Sequence, residues 1–191
     1  MRNPTPVMRV TAGLYKGRKV NPIHDPAIRP SKAMVREALF SILGVDFCRD
    51  AVVADLFSGS GIMAIESLSR GCGTVYCVDS SLDSCRLIRA NMEKLEIDAT
   101  GRIFHLKADQ AVSSFAAMQL KFDLLFLDPP YAAPQVGITA LELACSHDIL
   151  TPESVAVFEH NSRFDLPEIK GMSVYKQRRY GHTKLTFLRP E

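Results

Sequence analysis

Asp128-Pro129-Pro130-Tyr131 is the stretch of this chain best suited to chemistry. It follows Phe122–Leu127, a short apolar run that reads as a buried strand. Each proline fixes its own φ and pushes the residue before it toward extended geometry. The stiff loop that results holds Asp128 and Tyr131 in a set relation. In open α/β sheets the carboxyl ends of the strands are where ligands bind. A carboxylate there can accept from an exocyclic N–H of a planar substrate while the aromatic ring stacks on the base. An ordinary Asp pKa of about 4 would keep it ionised at neutral pH. The bland alternative is a rigid β–α turn.

Three more acids fall at comparable places. Asp55 stands at the end of the apolar run 51–57, ahead of Phe57-Ser58-Gly59-Ser60-Gly61 and a helical pattern reaching about Arg70. A strand, a glycine-rich turn and a helix form a cofactor-binding unit, because glycines let backbone approach a ligand and the helix start offers free N–H groups. The pattern is not the dinucleotide G-x-G-x-x-G, and an ionised Asp55 would repel a pyrophosphate. It would welcome a cationic ammonium or hydroxyl donors, which favours a zwitterionic, sulfonium-bearing cofactor over NAD. Asp79 ends the next strand, Thr74–Val78, at a distance from the glycines suited to binding ribose hydroxyls. Ser80 and Ser81 follow it and cap the next helix. The third strand is expected at Ile103–Ala108, followed by Asp109 and Gln110, where Asp109 could accept from an adenine amine or act as a helix N-cap. Four strands each ending in an acid exceed what capping alone explains.

The elements that must position these residues alternate β and α. Helices are expected to about Leu95, over about Ala111–Leu120 and near Val136–Cys145. A strand is expected at Val155–Glu159, and Ser173–Arg179 with Thr183–Leu188 read as an antiparallel closing hairpin. The alternation predicts a mostly parallel sheet with helices on both faces. Upstream, Met8–Val20 reads as a β-hairpin with its turn near Ala12–Gly17, and 21–30 as a proline-bearing loop. Ser31 is a suitable N-cap for a helix continuing to about Leu43, with Gly44 as its stop.

The chain has 191 residues and a composition typical of a globular domain. No apolar run approaches the roughly 20 residues of a membrane span, and the first residues lack a signal-peptide core. The five cysteines form no C-x-x-C pair and read as reduced, mostly buried thiols, consistent with a cytoplasmic setting. The scattered histidines suggest no metal site. A net charge of +2 conceals an asymmetry: residues 1–36 carry eight Lys/Arg against one acid, and 170–189 carry six and none. An acidic middle between basic ends suggests a nucleic-acid partner. Lys16, Arg18 and Lys19 near the hairpin turn could neutralise phosphates, with Tyr15 stacking on a base. Arg29, Lys32 and Arg36 sit around a helix start, where cations oppose the dipole and an anionic partner would relieve them.

Taken together, Asp55-Leu56-Phe57-Ser58-Gly59-Ser60-Gly61, Asp79 and Asp128-Pro129-Pro130-Tyr131 resemble a class I S-adenosylmethionine-dependent methyltransferase. More closely, the chain resembles the RsmD family, which methylates guanine N2 in small-subunit ribosomal RNA. The likeness includes Gly17-Arg18-Lys19, Arg29-Pro30-Ser31, Val35–Phe40, Ser69-Arg70-Gly71 and Tyr180-Gly181. It departs from the family at Lys16, Ser31, 32–34, Ser58 and Asp79.

The resemblance implies a Rossmann-like α/β fold: a mostly parallel seven-stranded sheet, helices on both faces, an antiparallel closing strand and an N-terminal β-hairpin. It divides the chain into an RNA-contacting extension over 1–30 and a methyltransferase domain over 31–191. It implies S-adenosylmethionine as cofactor, bound by Asp55, Phe57, Ser58, Gly59, Gly61, Asp79, Ser80, Asp109 and Gln110. It implies catalysis by Asp128, Pro129, Pro130 and Tyr131, and RNA contacts from Lys16, Arg18, Lys19, Arg29, Ser31, Lys32 and Arg36. The expected partner is ribosomal RNA, within a small-subunit particle or an assembly intermediate, and the expected state is a monomer. The competing readings are an adenine N6-methyltransferase, a non-catalytic RNA-binding module and a nicotinamide-dependent dehydrogenase.

Overall fold

The computed structural model describes residues 8–23, 33–99 and 101–191. The RNA contacts expected of Arg29, Ser31 and Lys32 lie outside those residues. The described strands are β1 (Met8–Arg9), β2 (Lys19–Val20), β3 (Val52–Asp55), β4 (Thr74–Asp79), β5 (Ile103–His105), β6 (Phe122–Leu127), β7 (Leu150–Asn161), β8 (Met172–Tyr180) and β9 (Thr183–Pro190). The helices are α1 (Ala33–Leu43), α2 (Val45–Cys48), α3 (Ile62–Ser69), α4 (Leu82–Lys94), α5 (Ala108–Ala117) and α6 (Gln135–Ser146).

The main sheet has seven strands in the order β5-β4-β3-β6-β7-β9-β8. Strands β5 to β7 are parallel to one another, and β9 closes antiparallel to β7 and β8. The chain winds outward from β3 to β5, then crosses back to lay β6 on the other side of β3. The carboxyl ends of β3 and β6 therefore flank a topological switch point, where an open α/β sheet leaves a crevice. One face of the sheet packs on α1, α3 and α4, the other on α5 and α6. Runs such as Leu124–Leu127 are apolar throughout because both faces are covered.

Two expected boundaries move. The third strand stops at His105, not Ala108, and α5 begins at Ala108. Asp109 and Gln110 thus lie in the first helical turn. Helix α2 after Gly44 is additional to the expected elements; four residues give too little periodicity to read.

The N-terminal hairpin is not a free arm. Met8, Val10 and Val20 are buried in the same core as α1 and α3. Its turn is pinned to the end of α3: Leu14 N–H donates to the Ser69 carbonyl at 2.7 Å, and Tyr15 N–H to Ser69 Oγ at 2.9 Å. Gly13 makes this approach possible, since a Cβ there would lie 1.7 Å from the Ser69 carbonyl oxygen. Glu66 completes the anchor. Its carboxylate accepts from Thr11 N–H at 2.9 Å, from Thr11 Oγ1 at 3.0 Å, from Arg36 Nε at 3.2 Å and from Arg70 Nη1.

This network corrects the reading of Arg36 as an RNA contact. Its side chain is 2% exposed, bonded to Glu66 and to the Arg9 carbonyl (3.0 Å). It faces a carboxylate inside the protein, not a phosphate outside. Tyr15 is half-buried, with part of its side chain packed against the core. Arg36→Met keeps the apolar stem and leaves Glu66 paired with Arg70, so it should cost about 2 kcal/mol of stability, read as a lower denaturant midpoint at unchanged slope.

Candidate active site

The switch-point crevice is built by three adjacent strand ends. The β3–β6 register pairs Asp55 with Phe126, two residues before Asp128. The β6–β7 register pairs Leu127 with Phe158, so Asp128 and Glu159 follow side by side. Glu159 is a residue that the sequence reading passed over as a site. It ends the apolar run 155–158 as Asp128 ends 122–127, so the same signal could have found it.

Asp55 is 2% exposed and its Oδ2 has no hydrogen-bond partner among the described residues. Burial pushes its carboxyl up to about 7; hydrogen bonds from Phe57 and Ser58 oppose this, and the Asp79 charge adds to it. Burial also raises Asp128 well above the ordinary carboxylate range, helped by the Glu159 and Asp55 charges. The expectation of an ordinary Asp128 pKa near 4 fails because three carboxylates converge at a buried sheet edge.

Around Asp55 the strand–helix loop is shaped for a ligand. Gly59 and Gly61 adopt φ of +53° and +78°, the left-handed region that favours glycine. Asp79 accepts from Gly59 N–H and Ser81 N–H, each at 2.8 Å. Two bonds leave its carboxylate with further lone pairs for hydroxyl donors. An orphaned buried carboxylate oxygen, bare glycine backbone and a fixed second acid fit a ligand carrying both positive charge and hydroxyls. They do not fit a pyrophosphate.

Other expected cofactor contacts are arranged differently. Ser58 is buried, and its hydroxyl donates to the Asp55 carbonyl (2.8 Å) and accepts from Val78 N–H (3.1 Å). That side chain stitches the loop to β4. Phe57 packs on the core facing α5 and α6. Ser80 is exposed at the end of β4, while Ser81, not Ser80, caps α4 by accepting from Ser84 N–H. Gln110 reaches back to Lys107 N–H at 3.3 Å. Asp109 is exposed in the first turn of α5, where its charge suits the dipole.

In the tetrad, Pro129 is buried and Pro130 exposed. Pro130's carbonyl accepts from Ala133 N–H, whereas Pro129's carbonyl takes no backbone hydrogen bond among the described residues. Gly137 on α6 lets that helix approach, since a Cβ there would meet Pro129 and Phe158 at 2.8 Å. Tyr131 keeps 41% of its surface exposed, so its ring is available for stacking. Its hydroxyl hydrogen-bonds Thr183 Oγ1 at 2.9 Å and donates to Glu159 Oε1 at 3.5 Å. A small concavity beside it is lined by Pro129, Tyr131, Pro134, Glu159, His160, Asn161 and Phe164. Burial holds His160 below its usual range, so it faces this space as neutral imidazole.

Lys16 lies on the hairpin turn at the far end of α3, whereas Lys19 is two residues from Asn21, which hydrogen-bonds Asn91 beside the Ser60 carbonyl of the glycine loop. Helix α3 starts after the glycine loop and runs back to Ser69 at the opposite edge of the sheet, where the hairpin turn is pinned. Arg18 donates to the carbonyl of Lys94, at the far end of α4. Lys94 stands one turn beyond Asn91, whose side chain donates to the Ser60 carbonyl at 2.9 Å, so Arg18 lies on the glycine-loop side of the hairpin and not with its pinned turn. Among the described residues there is no His/Cys/Asp/Glu cluster able to hold a metal, and no helix long and apolar enough to cross a membrane.

Residues 8–189 match the family described as conserved hypothetical protein 95. The chain is 30% identical over 177 residues to the protein named "Putative rRNA methyltransferase YlbH" from Bacillus subtilis, covering 92% of this chain and 95% of that one. It is 26% identical to the ribosomal RNA small subunit methyltransferase D of Haemophilus influenzae, over 80% of this chain and 78% of that one. Among solved structures, a hypothetical protein from Thermus thermophilus superposes with a TM-score of 0.80 at 25% identity, covering 95% and 98% of the two chains.

Proposed function

The chain belongs to the RsmD family of ribosomal RNA methyltransferases, and from that membership and its site we propose that it methylates the exocyclic N2 amine of a guanine in small-subunit ribosomal RNA. S-adenosylmethionine is the donor, and it supplies a methyl group already activated by the sulfonium charge. Asp55 faces the cationic end of the cofactor and Asp79 its ribose hydroxyls.

The observation that carries the choice of base is the pairing of Asp128 with Glu159 beside Tyr131. Guanine presents two adjacent donors, N1–H and the N2 amine. Adenine presents an acceptor, N1, next to its amine. Two neighbouring carboxylates match the first pattern and repel the second. In this reading Asp128 and the Pro129 carbonyl accept from the N2 amine and favour a pyramidal, nucleophilic nitrogen. Glu159 accepts from N1–H, and Tyr131, held by Thr183, stacks on a base turned out of its helix or loop. The chain's own contribution is mainly positioning, which aligns amine and methyl at near-attack distance. The reading also puts the protein in the cytoplasm with its ribosomal substrate, acting as a monomer.

The test is methyl transfer from labelled S-adenosylmethionine to small-subunit particles lacking the modification, and to naked ribosomal RNA, followed by nucleoside identification. N2-methylguanosine is the expected product, and methyladenine would overturn the base assignment. Glu159→Gln replaces one acceptor by a group that can also donate, so it should lower kcat/KM by about 10-fold, the equivalent of one net hydrogen bond of about 1.4 kcal/mol.

A further inference from the structure

Basic residues also reach the catalytic edge, from the other end of the chain. Strand β9 runs antiparallel to β7 with Asn161 opposite Thr183, so the β8–β9 turn lies at the same edge as Asp128 and Glu159. The Tyr131–Thr183 hydrogen bond ties this turn directly to the site. Arg179 and Arg178 lie one and two residue pairs from the Tyr180–Thr183 tip, within about 7 Å along the strand.

We propose that the tip of the β8–β9 hairpin, through Arg178 and Arg179, is the surface on which the substrate RNA backbone rests while its base enters the site. This rests on the RNA-methyltransferase reading above. Arg178 sits opposite Leu185, and Arg179 opposite Lys184, so their side chains leave opposite faces of the ribbon. A single strand draped over the tip meets one guanidinium on each side. Both are exposed, and neither pairs with a carboxylate among the described residues. Arg178 Nη1 donates to the Gln177 carbonyl (2.8 Å) and Arg179 Nε to the Gly181 carbonyl (3.0 Å). These contacts orient each fork and leave most of its five donors directed outward. Lys184 is not counted, because Asp165 lies 3.7 Å from it.

Charges on an edge strand can also serve only to prevent strand pairing. A charge that serves only as a guard needs no particular place along the edge and can carry either sign. Here the other half of β8, Ser173–Tyr175, is uncharged and leaves Val174 51% and Tyr175 39% exposed. Within β8 itself the cations Lys176, Arg178 and Arg179 all fall in the half next to the crevice, while at the other end Arg189 of β9 stacks over Tyr175 at 4.2 Å.

The experiment measures binding of naked small-subunit ribosomal RNA across a salt series, for wild type, Arg178→Ala/Arg179→Ala and Arg178→Lys/Arg179→Lys. The alanine pair should bind at least about 10-fold more weakly at low salt. Its slope of log K against log salt should shrink by about 1.4, the value for two lost single-strand phosphate contacts. The lysine pair should keep the wild-type slope, and S-adenosylmethionine affinity should be equal in all three. Unchanged RNA affinity and slope in the alanine pair, with N2-methylguanosine still formed by wild type, overturns the hairpin alone. A deficit seen only on protein-bearing particles means that the surface meets a ribosomal protein, and overturns it too. Wild type that binds no RNA overturns both proposals, whereas the expected slope change with methyladenine as product overturns only the guanine assignment.

Discussion

Asp128→Ala should lower kcat by about 10²–10³-fold, the loss typical of removing one preorganised polar group from a reaction centre, while S-adenosylmethionine affinity stays within about twofold. The carboxylate stands at the stiff end of β6, on the base side of the crevice, whereas the cofactor loop follows β3. Its effect should therefore fall on turnover and not on cofactor binding. Asp128→Asn should fall nearly as far, because it keeps shape but replaces one acceptor by a donor aimed at an amine. Single-turnover methyl transfer together with calorimetric cofactor binding checks both. Turnover near wild type in either variant removes Asp128 from the mechanism. Because Asp128 is held above the ordinary carboxylate range by burial, then by Glu159 and Asp55, its accepting form is completed only as pH rises beyond that range. The wild-type rate should show an acidic limb displaced upward from the ordinary Asp value of about 4, and Asp128→Asn should lose that limb.

Asp55 should make the cofactor-free protein less stable as pH rises. Its folded pKa of about 7 exceeds an unfolded value of about 3.9. Between those values the folded state holds a proton that the unfolded state has released. Stability therefore falls with pH from about 4 to about 7 and is flat above, a total of the order of 4 kcal/mol. Asp55→Asn cannot ionise, so its thermal stability should exceed wild type at about pH 8 and converge with it at about pH 4. A cationic ligand reverses the preference by favouring the ionised carboxylate. S-adenosylmethionine affinity should accordingly rise from about pH 5 to about pH 8 in wild type and be weak and pH-insensitive in Asp55→Asn. Melting curves across pH, with and without cofactor, test this. Parallel wild-type and Asn profiles would show that Asp55 is not the group responsible.

The order of elements was legible in the sequence because each local signal agreed with the fold. Phe122–Leu127 is apolar because both sheet faces are covered, and Gly59 and Gly61 stand where the backbone turns left-handed. The likeness of 55–61, Asp79 and 128–131 to a methyltransferase was equally local, since each piece is a short run at one strand end. Arg36 was misread because sequence gives charge but not partner: Glu66, thirty residues away, lies beneath it. The partner of the Ser58 hydroxyl was not legible, because Val78 stands on β4, twenty residues away. The Asp128 pKa depended on Glu159, which only the parallel register of β6 and β7 brings alongside. The two basic ends looked alike in composition. Sequence alone determined the alternation, the strand-end acids and the charge asymmetry, because these follow from local periodicity and residue type. Tertiary structure decided which acids share a field and which basic residues stand beside Tyr131, because registers and helix directions set distances between residues far apart in the chain.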